Sequence, residues 1–137
     1  MRSSANLIQM VLADSSASVR ANIMRLLSQM PEIEVIAECE TADETIAAVR
    51  KFKPEIVFTE FVLDKGSAVD VLRSCRVMKP RPICIVHTTQ TDASTRAICY
   101  ACGADVFYDK NRDLIPLLNM LRKLAVAMTN HDVLQAA

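Results

Sequence analysis

The chain has 137 residues, of which 51% are hydrophobic and 23% charged, and its 16 basic residues balance its 16 acidic ones. This length fits one domain with its own core, and the composition excludes intrinsic disorder, collagen-like repeats and low-complexity linkers. Because the net charge is zero, a direct nucleic-acid ligand is not expected.

The cysteines and the apolar runs indicate the cellular compartment of the protein. The five cysteines are odd in number and form no disulfide framework, and Cys39 and Cys84 lie in apolar runs as small buried side chains. Residues 1–10 contain no apolar stretch of signal-peptide length, and no run approaches the roughly 18 residues of a membrane span. We therefore expect a cytoplasmic protein in a reducing setting, without a membrane partner.

Five short apolar runs alternate with five longer segments of helical periodicity. The apolar runs predict strands, and these cover residues 7–13, 33–39, 55–59, 83–86 and 106–108. The first four helical segments open on residues suited to an N-cap, namely one of Ser15, Ser16 and Ser18, then Thr41, Ser67, and Thr91 or Asp92. The last helix is predicted to start near Asp113.

The ends and faces of the helices follow from the same pattern. Pro31 ends the first helix, and Gly103 closes the fourth. The third helix is predicted to carry Val77 on its apolar face, together with Val69, Val71 and Leu72. Residues 129–137 are predicted to form a frayed tail after a single domain over residues 1–128.

Strands that alternate with helices predict an α/β fold in which helices cover both faces of a parallel sheet. Five strand–helix units are too few for an eight-fold barrel of about 250 residues. The predicted fold is therefore a doubly wound three-layer sandwich of the flavodoxin-like kind, with strand order 2-1-3-4-5.

Polar residues stand at the carboxyl end of several predicted strands, which is where open α/β sheets hold their chemistry. A carboxylate, a hydroxyl and an ammonium at one edge suit an oxyanion or phosphoryl group, and carboxylates suit a hard cation. These residues are Asp14 and Ser15 after strand one, Glu60 after strand three, His87 and Thr88 after strand four, and Asp109 and Lys110 after strand five.

From about residue 7 to residue 127, the sequence resembles the receiver domains of bacterial two-component response regulators, typified by the chemotaxis regulator. The resemblance lies in residues 11–14 followed by 19–20, and in residues 53–60, 83–89 and 102–110, with Thr88 and Lys110 at the family's spacing. It implies phosphoryl transfer from a histidine kinase to an aspartate that ends strand three. It also implies magnesium bound by an acidic pair after strand one. The hydroxyl and the lysine would relay the phosphoryl group to the face formed by helix four, strand five and helix five.

The sequence departs from the family at several of these positions. Asp14, Thr88 and Lys110 are kept, and Phe107 stands where the family has an aromatic switch residue. The departures are Glu60 at the acceptor position, Ser15 at the second acidic position, Asp64 and Asn111 in place of prolines, and Ser67-Ala68 in place of Asp-Gly.

Glutamate at the acceptor position changes the expected chemistry. Its carboxylate lies about 1 Å further into the pocket than that of aspartate, so phosphoryl transfer is expected to be slow or absent. Asp14 and Glu60 would bind Mg²⁺ weakly, and no cofactor is required. Alternatively, Glu60 pairs with Lys110 and places one negative charge where an acyl-phosphate carries about two. That arrangement predicts a receiver held in one conformation without phosphorylation.

Three functions follow from these residues. The first is a stand-alone, non-enzymatic signalling module without an effector segment after residue 128. It would bind a histidine kinase, an effector or a second copy through the helix four–strand five–helix five face. The second is a working phosphoacceptor that uses Glu60 or Asp64, although Asp64 before Lys65-Gly66 also fits a simple turn. The third is a flavin-binding electron carrier, whose phosphate cradle would be the hydroxyl-rich but glycine-free residues 15–18.

Overall fold

A computed structural model describes residues 7–112 and 114–136, those from 129 onwards by their backbone alone. One parallel sheet has the strand order β2-β1-β3-β4-β5, which confirms the predicted doubly wound, flavodoxin-like fold. Its strands are β1 (Ile8–Ala13), β2 (Ile33–Cys39), β3 (Ile56–Glu60), β4 (Ile83–Thr88) and β5 (Val106–Asp109).

Five helices connect these strands, and their caps follow the sequence. The helices are α1 (Ala17–Leu27), α2 (Ala42–Phe52), α3 (Ala68–Arg76), α4 (Ala93–Cys102) and α5 (Ile115–Ala136). Ser16, Thr41, Ser67 and Asp92 cap the first four with their side chains. Gly103 closes α4 with a φ of 116°, a left-handed conformation that favours glycine.

The cap of α3 gives a first testable prediction. Ser67 Oγ accepts a hydrogen bond of 3.2 Å from Val69 N, and Asp70 Oδ2 accepts one of 3.3 Å from Ser67 N. Ser67→Ala is expected to lower the free energy of unfolding by about 1 kcal/mol, measured by urea denaturation. The control is Ser94→Ala at an exposed position of α4, and an equal loss in both variants would contradict the assigned cap.

The sheet has one core on each face. One lies under α2, α3 and α4 and includes Val57, Cys84 and Phe107. The other lies under α1 and α5 and includes Phe58 and Leu121. Every residue of β3 is buried, as expected for a central strand covered on both sides.

The side chains of the edge strand β2 do not alternate regularly between the two faces of the sheet. The pairing of β1 with β2 shifts between Met10 and Val11. As a result, Val35 packs with the α1–α5 core, whereas Ile36 and Ala37 both pack with the other core. A bulge changes which side chains face inward, so periodicity alone does not predict it.

Three further details differ from the sequence predictions. Residues Val62–Leu63 and Gly66–Ser67 form an unpredicted antiparallel hairpin. The prediction that Val77 belongs to the apolar face of α3 is wrong, because this residue is the C-cap and is 81% exposed. Helix α5 continues to Ala136, beyond the start of the predicted frayed tail, and its predicted start at Asp113 lies outside the described residues.

The conformation of the hairpin requires a glycine at position 66, just before α3. Gly66 has a φ of 126°, and a Cβ atom there would lie 2.6 Å from the Cβ atom of Ala42. A side chain at this position would therefore be both strained and obstructed. The close approach seats the hairpin against α2 beside the carboxyl edge of the sheet.

Candidate functional site

The predicted strand-end residues converge on a three-membered ion-pair cluster. Lys110 Nζ lies 2.7 Å from Asp14 Oδ2 and 3.1 Å from Glu60 Oε1. The strands that end at these residues run parallel, so their carboxyl ends meet at one edge of the sheet. We call Asp14, Glu60 and Lys110 the ion-pair cluster.

The remaining carboxylate oxygens of the ion-pair cluster are also bonded. Asp14 Oδ1 accepts a hydrogen bond of 2.9 Å from Ser16 N, and Glu60 Oε2 accepts one from Phe61 N. The side chains of Asp14 and Glu60 are only 2% and 12% exposed. Backbone donors and the ammonium thus compensate two carboxylates that water barely reaches.

Thr88 lies at the same edge but is bonded elsewhere. It is fully buried, and its Oγ1 accepts a hydrogen bond of 3.1 Å from Gln90 N. Its backbone carbonyl accepts one of 2.9 Å from Lys110 N, which holds the end of β5 beside β4. The hydrogen bonds of the described residues do not join its hydroxyl to the ion-pair cluster.

The predicted magnesium ligands fit a resident metal poorly. The ammonium of Lys110 bonds to both Asp14 and Glu60, so it takes the bridging position that a cation would need. Ser15 supplies no second carboxylate after β1. Within residues 7–112 and 114–128, no three or more histidine, cysteine, aspartate or glutamate side chains are grouped to hold a metal ion.

His87 adjoins the ion-pair cluster from the α1–α5 side of the sheet. Its Nε2 lies 3.9 Å from Asp14 Oδ2, and its ring lies 4.4 Å from that of Phe58 between centroids. Burial lowers the pKa of His87 well below its usual value, the charge of Lys110 adds to this, and a hydrogen bond with the Ala13 backbone opposes it. The imidazole is therefore neutral at pH 7.

Phe107 faces the core beneath α4. It is 7% exposed, its ring centroid lies 6.5 Å from that of Tyr100, and the guanidinium of Arg96 lies 5.0 Å above it. Its backbone N–H also donates to Tyr100 Oη at 3.2 Å. The residue that the family resemblance marks as a switch is thus enclosed by α4 side chains.

Asp64 lies apart from the ion-pair cluster. It is exposed in the turn of the short hairpin, where its backbone N–H donates to the Glu40 carbonyl at 3.0 Å. Lys65 follows it with a φ of 52°. This placement favours the interpretation of Asp64 as a turn residue.

Arg20 holds the end of β1 in place, a role that the sequence analysis does not predict. Its side chain is 11% exposed, pairs with Glu38 at 3.3 Å and Glu40 at 3.2 Å, and donates to the Asp14 carbonyl. The available signal was an arginine in the first turn of a helix, six residues after a strand-end aspartate. Arg20 fixes the backbone of Asp14 and so orients the carboxylate that binds Lys110.

Comparison with known proteins places this geometry in a family. A family model described as the response regulator receiver domain matches residues 10–122. The chain is 25% identical over 120 residues to the transcriptional regulatory protein DegU of Brevibacillus brevis, covering 88% of this chain and 51% of that protein. It is 24% identical over 135 residues to protein-glutamate methylesterase/protein-glutamine glutaminase 2 of Nitratidesulfovibrio vulgaris, covering 94% of this chain and 37% of that protein.

A solved structure shows the same fold. The two-component response regulator of the LuxR family from Aurantimonas sp. SI85-9A1 superposes with a TM-score of 0.80 at 21% identity, covering 88% of this chain and 86% of that one. The chain spans only about half or less of the two curated relatives, and no helix of its described part is long and apolar enough to cross a membrane. Since the family model matches most of the chain, this protein belongs to the response regulator receiver domains of two-component signalling.

Proposed function

We propose that this receiver domain is a cytoplasmic protein-interaction module held in one conformation by its ion-pair cluster, without phosphorylation of an aspartate. The observation that supports this is the pair of bonds from Lys110 Nζ to Asp14 at 2.7 Å and Glu60 at 3.1 Å. The lysine that would contact a phosphoryl group is engaged by the side chain at the acceptor position.

The chemistry of Glu60 supports the same proposal. One of its oxygens is bonded to Lys110 and the other to Phe61 N, so both are occupied. Attack on a phosphorus atom would need one oxygen released and aligned with the leaving group, and small errors in position lower the rate steeply. Glu60 therefore acts as a fixed anion in the pocket rather than as an acceptor.

The proposed binding face comprises α4, β5 and α5. On α4, Ile98 and Tyr100 are 46% and 45% exposed, and Arg96 covers Phe107 beside them. Exposed apolar side chains next to an arginine resemble the composition of protein interfaces. We assign this face to a histidine kinase, an effector or a second copy of the chain.

The test is a mass measurement on the native chain and on Glu60→Asp after incubation with phosphoramidate and Mg²⁺. We expect native protein to gain no phosphoryl mass and Glu60→Asp to gain one. The shorter aspartate side chain withdraws from Lys110, so the ammonium keeps its bond to Asp14 and gains a donor that can contact the incoming phosphoryl group. Intact-mass spectrometry reads both outcomes directly.

Two further variants separate this proposal from a phosphoacceptor function. Glu60 is the favoured acceptor in that second candidate because it lies beside Lys110. If native protein gains mass and Glu60→Gln does not, Glu60 is an acceptor. If Asp64→Asn abolishes the gain in phosphoryl mass instead, Asp64 in the hairpin turn is the acceptor. Either result would overturn the proposal of a pocket without phosphorylation.

A further inference from the structure

A cavity of about 430 Å³ opens beside the ion-pair cluster, on the α1–α5 side of the sheet. It lies between α1 and the connection from β5 to α5. Small-molecule sites typically have volumes of about 300–1,000 Å³. The cavity is thus large enough for a ligand of one or two rings.

The walls of this cavity are mainly apolar, and its floor is aromatic. Val19 and Ile23 of α1 face Leu114 across it, and the rings of Phe58 and His87 form the floor. The two rings are inclined at 37° to each other, and apolar walls beside an aromatic floor favour a planar hydrophobic ligand that packs against one of them.

The charges around the cavity favour a neutral ligand. Among the described residues that line it, Lys110 is the only charged one, and its ammonium is bonded to Asp14 and Glu60. An anionic ligand would meet the net negative charge of the ion-pair cluster, and a cationic ligand would meet the ammonium first. Neither charge finds a free partner there.

One polar group in the floor is unsatisfied. His87 is 2% exposed, and its Nε2 has no hydrogen-bond partner in the described part of the chain. Since the neutral ring bonds the Ala13 backbone through its other nitrogen, Nε2 is an acceptor. His87 lines the cavity and its Nε2 lies 3.9 Å from Asp14 Oδ2, so a donor that reaches Nε2 from the cavity would remove the cost of leaving it unpaired.

We propose that this cavity binds a neutral, planar aromatic molecule that donates one N–H or O–H hydrogen bond to His87 Nε2. Apolar contacts with Ile23, Phe58 and Leu114 supply the affinity, and the single donor supplies the selectivity. The site does not depend on whether Glu60 accepts a phosphoryl group.

The test is a titration of the full chain, followed by ¹H–¹⁵N correlation spectra, with indole and 1-methylindole as probes. The two probes share their rings and differ in the N–H donor. We expect saturable shifts for the amides of α1 and the β5–α5 connection, with 1-methylindole binding roughly tenfold more weakly. No saturable shift with indole, or equal affinity for both probes, would overturn the proposal.

Three variants locate the site. His87→Phe keeps the aromatic floor but removes the acceptor, so the difference between the two probes is expected to vanish. Asn22→Trp, at an exposed lining position of α1, is expected to weaken indole binding at least roughly tenfold by blocking the mouth. Ala21→Trp is the matched control, since Ala21 is exposed on α1 but does not line the cavity. Equal binding by both tryptophan variants would place the probe elsewhere and refute the site.

Discussion

Replacing Lys110 by methionine is expected to lower the free energy of unfolding by about 3 kcal/mol. The substitution keeps most of the side chain's length but removes the ammonium that bonds Asp14 at 2.7 Å and Glu60 at 3.1 Å. Two nearly buried carboxylates would then remain at one strand edge without their shared cation. Leaving a buried charge uncompensated is among the costliest effects of a single substitution.

Urea denaturation at pH 7, followed by far-ultraviolet circular dichroism, measures this loss. Lys123→Met is the matched control, because Lys123 is exposed on α5, and it is expected to change stability by less than about 0.5 kcal/mol. Adding Glu60→Gln to Lys110→Met should recover part of the loss, since only one uncompensated carboxylate remains. If Lys110→Met is as stable as native protein, the ion-pair cluster does not stabilise the fold.

Acidification is expected to destabilise native protein more than His87→Phe. Burial lowers the pKa of His87 in the folded state, so below about pH 6.5 the unfolded chain takes up the proton first. Above that pH, the titration of His87 does not change the free energy of unfolding. As the pH falls from there towards the folded-state pKa, it lowers the free energy of unfolding by up to about 1.4 kcal/mol per pH unit. The variant has no imidazole at this position and escapes this loss.

The comparison requires urea denaturation of both proteins at pH 7.5 and at pH 5. Native protein should lose more stability than His87→Phe between these two values, because burial lowers the pKa of His87 only in the folded state. The two proteins have the same carboxylates, so the titration of those remote from position 87 affects both slopes alike. Parallel loss of stability in the two proteins would mean that His87 is protonated as easily in the folded state as in the unfolded chain.

Most of the fold was predictable because its signals are local. Alternation, N-cap residues and Gly103 placed the strands and helices to within a few residues. The sequence does not predict the hairpin after β3, because strands of two residues are too short to show an alternation of apolar and polar residues. Val77 was misplaced because an apolar residue at helical spacing can still fall beyond the last turn, where it is exposed.

The sequence predicts which residues meet at the site, but it does not predict which hydrogen bonds they form. Parallel strands end at one edge, so Asp14, Glu60 and Lys110 were expected to meet there, and a Glu60–Lys110 pair was one of two expected outcomes. The shorter bond from Lys110 to Asp14 depends on rotamers and strand register, which no spacing in the sequence encodes. The same holds for His87, whose burial beside Phe58 follows from the packing of α1 and α5.

The outer strand β2 has a consequence for how molecules of this protein meet each other. Within the described chain it pairs only with β1, so its far side presents unpaired backbone groups to solvent. Glu34 and Glu38 stand on this strand, and Glu38 is exposed. A second molecule that docked its own β2 here would bring these carboxylates together at neutral pH. The repulsion opposes extension of the sheet by strand addition at this edge.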